Sequence, residues 1–238
     1  MTSPLPNTGH RPPTTAVLAF AVFEKDWRSE WRTRAGLNTS LLFAVAAPIA
    51  MSFNLARQKL APETLAGLFW TVLLFAALIG LGRAFIKEEE SGTAALLRMH
   101  YPPDAVLWGK TGFNFSLLIL TQIASVPIFI VLLNAQINHI WLWLLALLLG
   151  DIGLAVVSTL LGALAAQAKA KGALFAAISI PVLLPLLVSV SSATAAALGA
   201  EGSTPFATQY WPAMQIVIGY DIALLAASWM LFDFAWSS

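Results

Sequence analysis

Two aspartates stand where charge is costly. Asp151 lies about ten residues into one apolar run and Asp221 a similar distance into another, and a carboxylate at such depth marks an ion path, a proton relay or a bonded structural group. The structural alternative is a protonated acid, or one bonded to a Ser, Thr or backbone group of a neighbouring helix. His139 precedes Ile140, Trp141, Leu142 and Trp143, a grouping that could place haem near a membrane surface. Paired tryptophans at the start of a span are also what an interfacial aromatic belt looks like, and that reading is adopted. Gly109-Lys110-Thr111 has the form of the end of a phosphate-binding loop, but the pattern needs glycine at position 104, where Asp104 sits, and the segment enters an apolar run. No nucleotide site is expected in the chain itself. With no cysteine there is no disulfide, thiolate metal site or cysteine nucleophile, and no metal site is expected.

The elements that must position these residues are membrane helices. Hydrophobic residues make up 58% of the 238, charged residues 11%, and the mean hydropathy is +0.77. Soluble domains average about 25% charged residues, so this chain belongs in a bilayer. A net charge of +1, with the basic residues spread along loops, excludes nucleic acid as a partner. The proline-rich start, residues 1–15, lacks the apolar core of a signal peptide and predicts a disordered tail. Residues 16–238 then form one membrane domain. Six stretches reach the roughly 20 residues needed to cross hydrocarbon: about Leu37 to Ala56, Thr64 to Ile86, Ala105 to Leu133, Trp141 to Gln167, Ala173 to Gly199, and Pro212 to Trp236. The fold class is therefore all-α and polytopic.

Ahead of the spans, residues 16–34 start apolar and become charged. Phe20, Phe23, Trp27 and Trp31 recur at three- and four-residue spacing, which predicts an amphipathic helix lying in the interface with aromatics toward lipid and basic groups toward headgroups. Membrane lipid is its expected partner. With the N-terminus inside, eleven of the 13 Lys and Arg residues fall on the inner side and only Arg57 and Lys59 on the outer, so both termini are expected in the cytoplasm.

The long polar interruption, Arg83 to Lys110, is expected to be the cytoplasmic working part. Ser91-Gly92 breaks the acidic helix end, and Tyr101-Pro102-Pro103 must stop the helix that follows, because a residue before proline is pushed out of helical space. Thr93 to His100 is too short to span and suits docking against a soluble partner. Leu96, Leu97 and Met99 are its expected exposed apolar knobs, beside Arg98. The run Glu88, Glu89 and Glu90 flanks it, either as a solvated face or against a basic partner surface. Asp104 is placed to cap the next helix, with Trp108 and Lys110 at the interface.

The order of these features, an Arg-x-Phe at a span end, an acidic patch, a Gly, a Leu-Leu pair, a Pro, and Gly109-Lys110 leading into the next span, resembles the haem exporter protein B (CcmB) permease family. Gly150 to Ser192, with a small basic turn and Pro181-Val182-Leu183-Leu184-Pro185, is similar to that family's paired spans. The resemblance covers roughly residues 20 to 236 and rests on pattern and order. It implies a non-catalytic permease subunit of an ATP-binding-cassette complex in the bacterial inner membrane, acting in cytochrome c maturation. It also implies a separate ATPase subunit that holds the ATP, other haem-handling membrane subunits, and haem as cargo rather than a cofactor held firmly by this chain. ATP turnover in the partner would move the Thr93 to His100 helix and tilt the spans on either side. Two other readings compete: an ABC-2-like permease for another lipid or small molecule, and a proton-coupled secondary transporter using Asp151 and Asp221.

Overall fold

The computed structural model describes residues 14–55, 59–81, 83–166, 171–199 and 206–237. Most of the tail expected at 1–15 lies outside the described residues, as does Arg57. Among the described residues all regular structure is helical: α1 (Thr15–Thr33), α2 (Ala35–Leu55), α3 (Pro62–Gly80), α4 (Arg83–Glu90), α5 (Thr93–His100), α6 (Pro103–Leu133), α7 (Ile140–Ala166), α8 (Lys171–Leu198) and α9 (Trp211–Ser237). A π-helical turn, Phe206–Tyr210, leads into α9. Six of these helices, α2, α3, α6, α7, α8 and α9, are long and apolar enough to cross a membrane. The protein is a multi-pass, all-α membrane protein.

Local chemistry explains the breaks. Arg34 adopts a left-handed conformation, φ 54°, that ends α1, and the Leu37 N–H donates to Glu30 Oε1 at 2.7 Å, satisfying one of the orphan amides that open α2. Gly92, at φ 70°, separates α4 from α5, a region that glycine enters without the Cβ penalty. Tyr101 is extended, as a residue before proline should be, and ends α5 at His100. Asn134, also left-handed, ends α6. Pro48, Pro127, Pro181 and Pro185 all lie inside spans.

Two boundary expectations are corrected. The second span does not run to Ile86: α3 ends at Gly80, and Arg83 begins the separate short helix α4. The apolar pattern continues through Leu81, Ala84, Phe85 and Ile86, so hydrophobicity alone hides the break. Asp104 does not cap α6 either. The helix starts one residue earlier, at Pro103, whose missing N–H is no loss at a first helical position, and Asp104 sits in the first turn near the positive end of the helix dipole.

Helix α7 is the centre of the bundle, packing on α6, α8 and α9 and on the short α4. Ser158, Gly162 and Ala166 are all buried, as a small-residue stripe that lets helices approach should be. Trp70 of α3 is held on α8 by its Nε1–H donating to Thr194 Oγ1 at 2.8 Å, and the Cη2 end of its ring reaches Gly150, where a side chain would collide with it. On the opposite side of the molecule from α5, Tyr210 donates to the Leu142 carbonyl at 2.7 Å, and the His139 amide donates to Ala197 O at 3.0 Å.

Candidate functional site: a buried ion cluster beneath two short helices

Helix α1 lies along α6, and the contact is tight at Gly109. A Cβ there would come within 2.6 Å of the Ala19 carbonyl oxygen and 2.7 Å of Val22 Cβ, so any other residue would force the two helices apart. Val22 and Asp26, one helical turn apart, are the residues of α1 that become buried. The aromatic residues turn elsewhere. Phe20, Phe23, Trp27 and Trp31 form a ladder of neighbouring rings, with centroids 6.1, 5.8 and 6.0 Å apart; Phe20 and Trp31 are exposed, and Phe23 and Trp27 pack partly on the main core. The stripe read from the sequence is therefore present, about a quarter-turn from Asp26, but only Phe20 and Trp31 are open while Phe23 and Trp27 pack inward, which corrects the expectation that the whole stripe faces lipid.

Asp26 meets Lys110, the residue after Gly109. Lys110 is completely buried, 0% exposed, and is surrounded by charge and ring faces. Its Nζ lies 3.1 Å from Asp26 Oδ2, 2.8 Å from Glu88 Oε2 and 4.5 Å from the centroid of the Phe85 ring. The approach to Glu88 is an ion pair by distance without the alignment of a hydrogen bond. Lys25 completes the set, pairing with Asp26 at 2.9 Å and donating to Glu88 Oε1. Two cations and two carboxylates alternate around a closed, formally neutral ring. Burial works to raise the Asp26 pKa, but Lys110 and then Lys25 outweigh it and hold the carboxyl below its ordinary value. Burial likewise works to lower the Lys25 pKa, and the Asp26 and Glu88 carboxylates outweigh it, leaving it raised.

Two expectations are corrected, and Lys110, expected at the interface, is found covered by protein. Neither the solvated nor the partner-facing reading of Glu88 holds, since it turns inward. Of the acidic run, Glu89 pairs with Arg98 at 3.5 Å and Glu90 is exposed. Leu97 is not exposed: it is 7% exposed and belongs to a small core with Val22, Phe85, Val106, Phe232 and Trp236. The reason is helical spacing. Ala94 and Leu97, three apart, share the inner face of α5, whereas Leu96 and Met99, also three apart, share the outer one. Leu96 is 59% and Met99 79% exposed. Arg98 is engaged within the chain, its guanidinium 5.1 Å from the centroid of the Trp236 ring.

The intramembrane carboxylates sit apart from this cluster. Asp151 faces α6, where Gln122 Nε2 donates to Oδ1 at 2.9 Å; Oδ2 has no partner. Below it, Asn114 Nδ2 donates to Thr159 Oγ1 at 2.9 Å. Asp221 faces a different side of α7. A Cβ on Gly153 would stand 2.5 Å from Asp221 Oδ1 and from Leu186 Cδ2, which places the carboxylate in the seam of α7, α8 and α9. Neither of its oxygens has a hydrogen-bond partner. His139 keeps its Nε2 buried and unpartnered beside the α6–α7 turn.

The sequence missed Asp26 and Lys110 as a pair, although a signal existed: Asp26 is four residues from Val22, off the aromatic stripe, and so on a face that has to be covered. Compared with known proteins, residues 17–237 match the family described as CcmB protein. A stretch of 140 residues is 28% identical to heme exporter protein B of Haemophilus influenzae, covering 58% of this chain and 63% of that relative's length, a little under two thirds. The family match spans α1, both short helices and all six candidate spans, and on that breadth the chain belongs to the CcmB family.

Proposed function

We propose that this chain is the permease subunit of an ATP-binding-cassette complex that handles haem during cytochrome c maturation. It lies in a bacterial inner membrane with both termini in the cytoplasm, is not itself an enzyme, and works with a separate ATPase subunit and other haem-handling membrane subunits. Family membership supports the cargo and the partners, and the excess of Lys and Arg on one set of loops supports the orientation.

One observation carries the reading. Helix α5 is too short to span, stands between two spans, and leaves Leu96 and Met99 uncovered while its other face is anchored by Leu97 and Arg98. Apolar side chains outside hydrocarbon gain nothing unless a partner covers them. The docking face is Leu96 and Met99, with Glu90 at its edge, and Leu97 supports it from behind. ATP turnover in the partner moves α4 and α5, and the movement reaches the spans. The exposed aromatics of α1, Phe20 and Trp31, seat that helix in lipid.

Covering a leucine-sized side chain is worth roughly 1.5–3 kcal/mol, and each 1.4 kcal/mol is tenfold in binding. Leu96→Asp with Met99→Asp is therefore expected to reduce co-purification of the ATPase at least tenfold and to lower cytochrome c yield in cells, with the spans still inserted. Undiminished co-purification and yield would reject the docking face. Asp151 and Asp221 are not the energy source, and activity at constant ATP is expected to survive collapse of the proton gradient. Loss of activity under that treatment would favour the secondary transporter.

A further inference from the structure

The ion cluster closes a triangle of helices. Lys25 to Glu88 ties α1 to α4, Lys110 to Glu88 ties α4 to α6, and Asp26 to Lys110 ties α1 to α6. Helix α4 thus has two kinds of attachment. Phe85 sets its ring against Phe232 and Trp236 of α9, at centroid distances of 6.2 and 6.0 Å, and Glu88, three residues on, engages α1 and α6 by charge. Both attachments meet at Lys110, which lies over the Phe85 ring and beside the Glu88 carboxylate. Helix α5 is fixed to the same aromatic group through Arg98 and Leu97.

We propose that Glu88 and Lys110 are positioning residues that transmit displacement of the α4–α5 unit to α1 and to the membrane span α6. The inference rests on the reading of α5 as the docking helix and goes beyond it by assigning the route. A buried ion cluster is a weak stabiliser compared with apolar packing of the same volume, but it fixes which groups face one another. Here each lysine touches both carboxylates, so a shift of α4 alters the sharing of Glu88 between Lys25 and Lys110 without leaving a charge unpaired. The apolar contacts with α9 have no such alternative pairing. Movement of α4 is therefore passed to α1 and α6 by rearrangement of charge, and to α9 as a rigid attachment.

The test uses the full-length chain purified with its ATPase from native membranes, in two double variants that keep the cluster neutral. Lys25→Gln with Glu88→Gln frees α4 and leaves Asp26 paired with Lys110. Asp26→Asn with Lys110→Met frees α6 and leaves Lys25 paired with Glu88. Glu24→Gln with Arg28→Gln removes an exposed ion pair on α1 and is the control. The expected result is co-purification of the ATPase at the wild-type level and a melting temperature in detergent close to wild type. Cytochrome c yield per bound ATPase should fall at least tenfold in both doubles, with the control unchanged. Wild-type yield in both doubles would overturn the route while leaving the docking reading intact. A melting temperature and yield that fall together in both doubles would make the cluster a structural staple and overturn it equally; if only one double fails to assemble, the other decides. Failure of the ATPase to co-purify with the unmutated chain would instead reject the proposed function.

Discussion

The two places where this chain buries carboxylates are built on opposite plans. At the α1, α4 and α6 junction, Asp26 and Glu88 are matched one for one by Lys25 and Lys110, and the distances are those of ion pairs. Within the spans, Asp151 has a single amide donor from Gln122, and Asp221 has no partner for either oxygen. A carboxylate that must stay ionised out of water needs compensating charge, and of the two places the junction is the one that supplies it. The difference separates a site whose charges pair across three helices from two carboxylates set singly into helix seams.

The sharpest way to break this contrast is to remove one cation. Lys110→Met leaves Asp26 and Glu88 in the junction with only the half-exposed Lys25 between them, and breaking a buried pair from one side typically costs about 3–5 kcal/mol. The thermal unfolding midpoint in detergent is expected to drop sharply, and adding Asp26→Asn should restore most of the loss. No drop would mean that the junction is not electrostatically organised. A smaller effect follows from pH. The Asp26 pKa is depressed on folding, so its contribution is present above the ordinary carboxylate value of about 3.9 and is lost as pH falls through the lower folded value. The Lys25 pKa is raised, so its contribution is present below about 10.4 and is lost as pH rises through the higher folded value. Stability should be flat through neutral pH and fall at both extremes, and the acid limb should move or vanish in Asp26→Asn with Lys110→Met. The smallest change belongs to the seam. Asp151→Asn keeps a carbonyl oxygen for Gln122, and Asp221→Asn removes no bond, so each is expected to shift stability by less than about 1 kcal/mol. A larger loss for Asp221→Asn would show that its carboxylate works as a charge after all.

Most of the architecture was readable because membrane helices announce themselves by length and polarity, and because punctuation in the polar stretch between the second and third spans is unusually firm. Ser91-Gly92 and Tyr101-Pro102-Pro103 bracket α5 to the residue. The end of α3 was not readable, since the sequence continues an apolar pattern through Leu81, Ala84, Phe85 and Ile86 past the point where the helix stops at Gly80. The junction was legible only in part. Periodicity separates Asp26 from the aromatic stripe, but its partner lies 84 residues away, and one sequence gives no measure of pairing at that range. Leu97 was misplaced for a simpler reason: in an eight-residue helix a Leu-Leu pair looks like one patch, yet consecutive residues point about 100° apart. One leucine of such a pair has to turn inward.

Gly92 extends this logic to a question of handedness. Nothing lies within 4 Å of where its side chain would be, so no steric neighbour selects glycine there. What selects it is the mirror sense of the backbone at φ 70°, which an L-residue adopts at a cost of roughly 1–2 kcal/mol. Chirality is then the only obstacle to a methyl group at this joint. D-alanine introduced by chemical ligation should fit where L-alanine is strained, and the two enantiomers, identical in size and polarity, would bend the α4–α5 joint to different degrees.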